Sequence, residues 1–76
     1  MTKFYAVIEE DRHTDVLVVV FDDLAAAIAD AKQRAADSGY EDVQEDPVEG
    51  WFYYAFDESA DYHISVREVE ARIGER

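Results

Sequence analysis

Seventy-six residues leave room for one compact domain spanning 1–76 and none for a separate catalytic or regulatory module. With 49% hydrophobic and 13% aromatic residues against three Gly and one Pro, the chain is too rich in core formers to be a disordered acidic tail. Its 19 acidic and 7 basic groups give a net charge of −12, a field that opposes direct binding to nucleic acid or anionic membranes, and the absence of Cys excludes disulfides, thiolate metal sites and thiol catalysis.

Phe4, Ala6 and Ile8 alternate with Tyr5, Val7 and Glu9, which predicts a first strand apolar on both faces. The polar run Glu10–Asp15 predicts a turn, and Val16–Phe21, six β-favouring residues in succession, the second strand of an antiparallel hairpin. Because Val16–Phe21 is apolar on both sides, it is expected to be central and covered on both faces. Asp23 then N-caps a helix predicted from about Asp23 to Ser38, with Leu24, Ile28, Ala31 and Ala35 on one face and Ser38-Gly39 ending it; Tyr40 packs back on the last turn.

Residues 41–50 are a polar loop by composition, containing Pro47. Trp51–Phe56 predicts an aromatic third strand, residues 57–61 a turn, and Tyr62, Ile64 and Val66 a fourth strand pairing back on the third. The end of the chain has two readings: the strand continues, or Ser65 and Glu68 form a capping box and Val66, Val69 and Ile73, before Gly74, a short C-terminal helix. The predicted fold is α+β, a four-stranded antiparallel sheet with one helix on one face, in the order ββαββ.

Elements of catalysis are sparse. The acidic loop lacks the Asp-x-Asp-x-Asp-Gly spacing of a calcium hand, His13 and His63 have no ligand-spaced partner, and the serines lack a nucleophile elbow. One helix on a thin sheet offers little concavity for a substrate. A binding protein is therefore expected rather than an enzyme, with no metal and no cofactor. Met1 leads into a strand-like run without an apolar h-region, and no stretch reaches the roughly 18 apolar residues of a membrane span, so a cytoplasmic protein is expected. The aromatic strand lacks the basic neighbours that base stacking requires; Tyr5, Phe52, Tyr54 and Phe56, with Val7, are instead the candidate apolar interface, and a homodimer is one way to cover it.

The charge is localised. Between Arg34 and Arg67 there is no Lys or Arg, while Asp37, Glu41, Asp42, Glu45, Asp46, Glu49, Asp57, Glu58 and Asp61 all lie inside. Asp23, Asp30 and Asp37 recur every seven residues, along one helix line at about 10 Å intervals. These eleven carboxylates form the candidate partner-binding surface, with spacings comparable to those of phosphates on a duplex.

In size, net charge, the Arg34–Arg67 gap and lack of catalytic motifs, the chain resembles the small acidic phage inhibitors that imitate DNA, including many anti-CRISPR proteins. The resemblance implies a stoichiometric inhibitor whose carboxylates occupy the Lys and Arg of a basic nucleic-acid-binding protein or complex. Phe4-Tyr5-Ala6-Val7-Ile8-Glu9, and Phe21-Asp22-Asp23-Leu24 leading into an Ala-rich helix, are similar to the opening of HicB-type antitoxins. That likeness lacks the family's Pro-Asp-Leu-Pro-Gly-Cys turn, ends at Gly39, and implies an inhibitor of a small RNA-cleaving toxin. A third reading assigns the acid surplus, ten Asp against two Lys, to solubility alone, as in a salt-loving host.

Overall fold

The computed structural model describes residues 3–12 and 14–70. They form β1 (Lys3–Asp11), β2 (Thr14–Phe21), α1 (Leu24–Asp37), the two-residue β3 (Gln44–Glu45), β4 (Tyr53–Asp57) and β5 (Tyr62–Glu70), with one 3-10 turn, Glu58–Ala60, between the last two strands. All strand pairs are antiparallel, in the spatial order β2-β1-β5-β4-β3. The class is the α+β arrangement expected, with one helix and five strands in place of four, because Gln44 and Glu45 pair with Phe56 and Ala55 inside the segment predicted as loop.

The helix starts where Asp23 accepts the Ala25 amide and stops where Ser38 bonds the Ala35 carbonyl; Gly39 follows at φ 83°, a left-handed conformation that favours glycine. Ala27, Ala31 and Ala35 form its buried stripe, with Leu24 and Ile28 flanking it. Three small side chains at i, i+4 and i+8 let the helix lie close on the sheet, against Val7, Ala55, Tyr62, Ile64 and Val66. Tyr40 packs on Tyr62, ring centroids 5.0 Å apart, and its hydroxyl donates to Asp11 at 3.2 Å, tying the chain after the helix to the end of β1.

The valine-rich β2 was expected at the centre of the sheet and stands at its edge. The centre belongs to β1 and β5, whose register runs unbroken from Lys3↔Glu70 to Glu10↔His63. β5 wins that place because it is the strand both β1 and β4 can pair, and its Tyr62, Ile64 and Val66 are the side chains closed off beneath the helix. The short α1 reaches only part of β2, leaving Leu17 38% exposed on the helix side, while Val16, Val18 and Val20 point to the other face, where no described element covers them, and are 54%, 55% and 53% exposed.

The alternative of a terminal helix from Ser65 is likewise corrected over the described residues. Ser65 and Val66 lie in the middle of β5, Val69 pairs with Phe4, and Glu68 sits 3.8 Å from Lys3 as an ion pair rather than reaching back as a capping residue. The ladder with β1 supplies the backbone hydrogen bonds a helix would have supplied, and it buries Ile64 and Val66 in addition. Ile73 and Gly74 lie outside the described residues.

The face away from α1 has no covering element among the described residues, yet its centre is closed. Trp51 lies under the Arg67 guanidinium, 3.9 Å from ring centroid to Cζ, and Arg67 Nε donates to Ser65 Oγ at 3.1 Å. This bridge helps to close off Ala6 and Ser65, both buried.

Candidate binding surface

Ser38 and Gly39 turn the chain out of the helix toward β3, and residues 41–49 carry their acidic groups along the sheet edge opposite β2. Asp37, Glu41, Asp42, Glu45, Asp46, Glu49, Glu58 and Asp61 are all exposed. Pairing of β3 with β4 and a bond from the Asp46 amide to the Tyr54 carbonyl at 3.1 Å hold Glu45 and Asp46 on ordered backbone. The Tyr53 hydroxyl donates to Glu45 Oε2 at 2.9 Å; burial first, and then this bond, hold the Tyr53 phenol well above its ordinary pKa.

Two open clefts flank β3. One, of about 460 Å³, lies between Asp42, Gln44, Phe56 and Glu58, and the other, of about 540 Å³, between Lys32, Tyr40, Glu41, Glu45 and Tyr53. Each carries two exposed carboxylates over an aromatic wall, a setting that accepts a guanidinium or ammonium head while its aliphatic stem packs on the ring. Lys32, with its ammonium 6.0 Å from the Tyr53 ring, already occupies part of the second cleft.

Besides Glu45, others of the predicted carboxylates bond within the fold. Asp57 is 3% exposed and caps the 3-10 turn, its Oδ1 accepting from Ser59 N and Oγ and from Ala60 N; the Ser59 hydroxyl foremost, with the backbone amides, holds its pKa below the usual value. Asp30 pairs with Arg34 at 2.6 Å, which raises the guanidinium pKa and cancels one charge of the helix line. Asp23 remains exposed, although its carboxylate caps the helix. Asp37 accepts the Gln33 amide at 3.0 Å. The heptad line thus spends Asp30 on the helix and sets Asp37 beside Glu9 of β1 and Arg34, on the flank of the helix away from the β3 edge.

The four candidate interface aromatics do not share a face. Directly paired residues point the same way, so Tyr5, opposite Glu68 and Phe21, lies on the helix side with Val7, and both belong to or pack on the core. Phe52, 44% exposed, sets its ring edge-on to Tyr5 at 5.5 Å. Tyr54 and Phe56 lie on the other side and stack at 5.5 Å. Around Tyr54 are Trp51, at 5.3 Å, and His63, whose Nδ1 is 2.9 Å from the Tyr54 hydroxyl while its Nε2 is 3.6 Å from Asp61. Strand parity could have separated the two sets, had the register of β1 against β5 been known. Arg67 on Trp51 gave no sequence signal, since the two meet only through the sheet.

No protein-family model, no curated protein and no solved structure matches this chain. Among the described residues, no three acidic or histidine side chains are grouped so as to hold a metal ion, and no helix is long and apolar enough to cross a membrane.

Proposed function

We propose that this protein is an acidic, stoichiometric inhibitor that occupies a cationic nucleic-acid-binding surface of a protein target, in the manner of the DNA-imitating phage proteins it resembles. The observation that carries the reading is the β3 edge, where Glu41 and Glu45 on one side and Asp42 and Glu58 on the other rim two clefts. Carboxylates presented from paired backbone and a capped turn lose less freedom on binding than the same groups on a loose tail, which favours their use as fixed phosphate surrogates.

Charge reversal tests it. Asp42, Glu45, Asp46 and Glu49 changed together to Lys should abolish inhibition of the target's nucleic-acid binding and leave the circular dichroism spectrum unchanged. Reversal of Glu10 and Asp15, exposed and away from that edge, should do little. Glu9 and Asp11 make poor controls, because they accept the Tyr62 and Tyr40 hydroxyls and their reversal breaks the fold. Wild-type binding should weaken about tenfold or more on raising salt from roughly 0.05 to 0.2 M, as for multiple ion pairs. Equal effects of the two reversal sets would return the charge to a solubility role, and inhibition far below one-to-one would indicate catalysis.

A further inference from the structure

The two edges of the sheet are built differently. β3 is two residues long, is followed by Asp46 and Pro47, and is crowded with carboxylates, all devices that discourage another strand from adding there. β2 has eight residues, no Lys, Arg, Pro or Gly, and Asp15 as its one ionisable group. The irregularity in its pairing with β1 falls at Glu9/Asp11, near the hairpin turn, so the register from Glu9↔Leu17 to Tyr5↔Phe21 is uninterrupted. An unguarded edge and the exposed row Val16, Val18 and Val20 therefore occupy the same strand.

We propose that β2 is a self-pairing strand, through which two copies of this chain join edge to edge, antiparallel, about Val18. A two-fold axis normal to the sheet at Val18 sets Val16 opposite a second copy's Val20 and Leu17 opposite its Val19, so apolar residues meet apolar residues at every central position. Asp15 then stands opposite Phe21, and Asp22 beyond the strand end beside position 14, with no carboxylate directly facing another. Arg12, exposed in the hairpin turn, donates to the Ser59 carbonyl at 3.4 Å on the β5 side of β1 and takes no part in the pairing.

Charge placement selects a second copy over a foreign partner. β2 offers a basic or acidic peptide no line of counter-charges, whereas a second copy supplies the matching row of valines. The acidic edge lies four strand spacings away, about 19 Å, or more than two Debye lengths at physiological salt, so its carboxylates oppose this approach little, and the repulsion that remains comes from Asp15, Asp22 and Asp23 at the two ends of β2. The two helices fall on the same face of one continuous sheet, the two valine rows merge, and the acidic edges point outward at opposite ends, which makes the pair bivalent toward a target.

Sedimentation of the full chain tests the pairing. Wild type should pass from its 8.7 kDa monomer to a dimer as concentration rises. Val18→Lys, which sets two ammonium groups side by side at the axis, should weaken association at least a hundredfold with an unchanged circular dichroism spectrum, while Val18→Thr should still dimerise. Because the chain has no Cys, single cysteine variants read the register under mild oxidation. Val18→Cys should cross-link to itself, and Val16→Cys should cross-link to Val20→Cys in a mixture but not to itself. A wild type that stays monomeric at every concentration reached, a dimer indifferent to Val18→Lys, or cross-links independent of position overturns the proposal.

Discussion

The Tyr62 hydroxyl donates to Glu9 Oε2 at 2.6 Å beneath the helix, joining the start of β5 to β1 across 53 residues of sequence. Tyr62 is 1% exposed, and Arg34 from α1 approaches the other oxygen of the same carboxylate at 4.0 Å, so helix and both central strands converge on one half-buried acid. Tyr62→Phe removes the donor and leaves Glu9 to Arg34. The expected loss is about 2 kcal/mol, as for a hydrogen bond to a charged group, read by urea denaturation with an unchanged m-value.

The same bond makes stability sensitive to alkali. Burial first, and then the bond to Glu9, raise the Tyr62 phenol far above its ordinary value of 10.0, and Tyr53 is raised in the same sense beside Glu45. A folded-state pKa above the unfolded one stabilises the native state fully below pH 10.0 and loses that stabilisation as pH rises beyond it. Wild type should lose stability steeply above pH 10.0, Tyr62→Phe less so, in chemical denaturation repeated across that range.

Asp57 acts at the other end of the pH scale. Its depressed pKa means that its contribution is present above the ordinary value of 3.8 and is lost as pH falls through the native value. Asp57→Ala should be less stable than wild type at neutral pH, through loss of the turn cap, and the gap between them should close below pH 3.8. A gap that is constant with pH would mean that the cap works through shape and not through its charge.

Trp51 is the single tryptophan, and Arg67 stacks on it across the face away from the helix. Arg67→Ala should cost about 1 kcal/mol in lost cation–π and packing energy. It should also shift Trp51 fluorescence to the red, because the ring gains water. Arg67→Lys should recover part of the stability and less of the emission shift, since an ammonium covers the ring less completely.

Similar residues on different strands should respond unequally. Ile64→Ala, in the fully buried centre of β5, should cost about 3 kcal/mol, whereas Val18→Ala, on the exposed edge, should change monomer stability by about 0.5 kcal/mol or less. Urea titration of dilute protein, below any self-association, distinguishes the two.

The helix was legible because its signals are local: Asp23 as cap, an alanine-rich repeat and Gly39 at the stop act within a few residues of one another. Both hairpins were legible for the same reason, each being two apolar runs around a polar turn. β3 was not, since Gln44 and Glu45 carry no strand preference of their own and pair only because β4 offers them an open ladder. Of the candidate acidic surface, residue type and sequence position located the β3 edge; the Asp57 cap on Ser59 and the i,i+4 pair of Asp30 with Arg34 are local as well, and it is the burial of Asp57 that depends on the fold.

By itself the sequence determined the fold class, the helix, the strand-forming segments and the concentration of negative charge between Arg34 and Arg67. Tertiary structure decided where each strand sits. Hydrophobicity sets how much burial a segment can use, whereas pairing partners set how much it receives. Val16–Phe21, the most apolar run in the chain, pairs only with β1 and stays half in water, while β5, interrupted by His63, Ser65 and Arg67, gains strands on both sides and becomes the core.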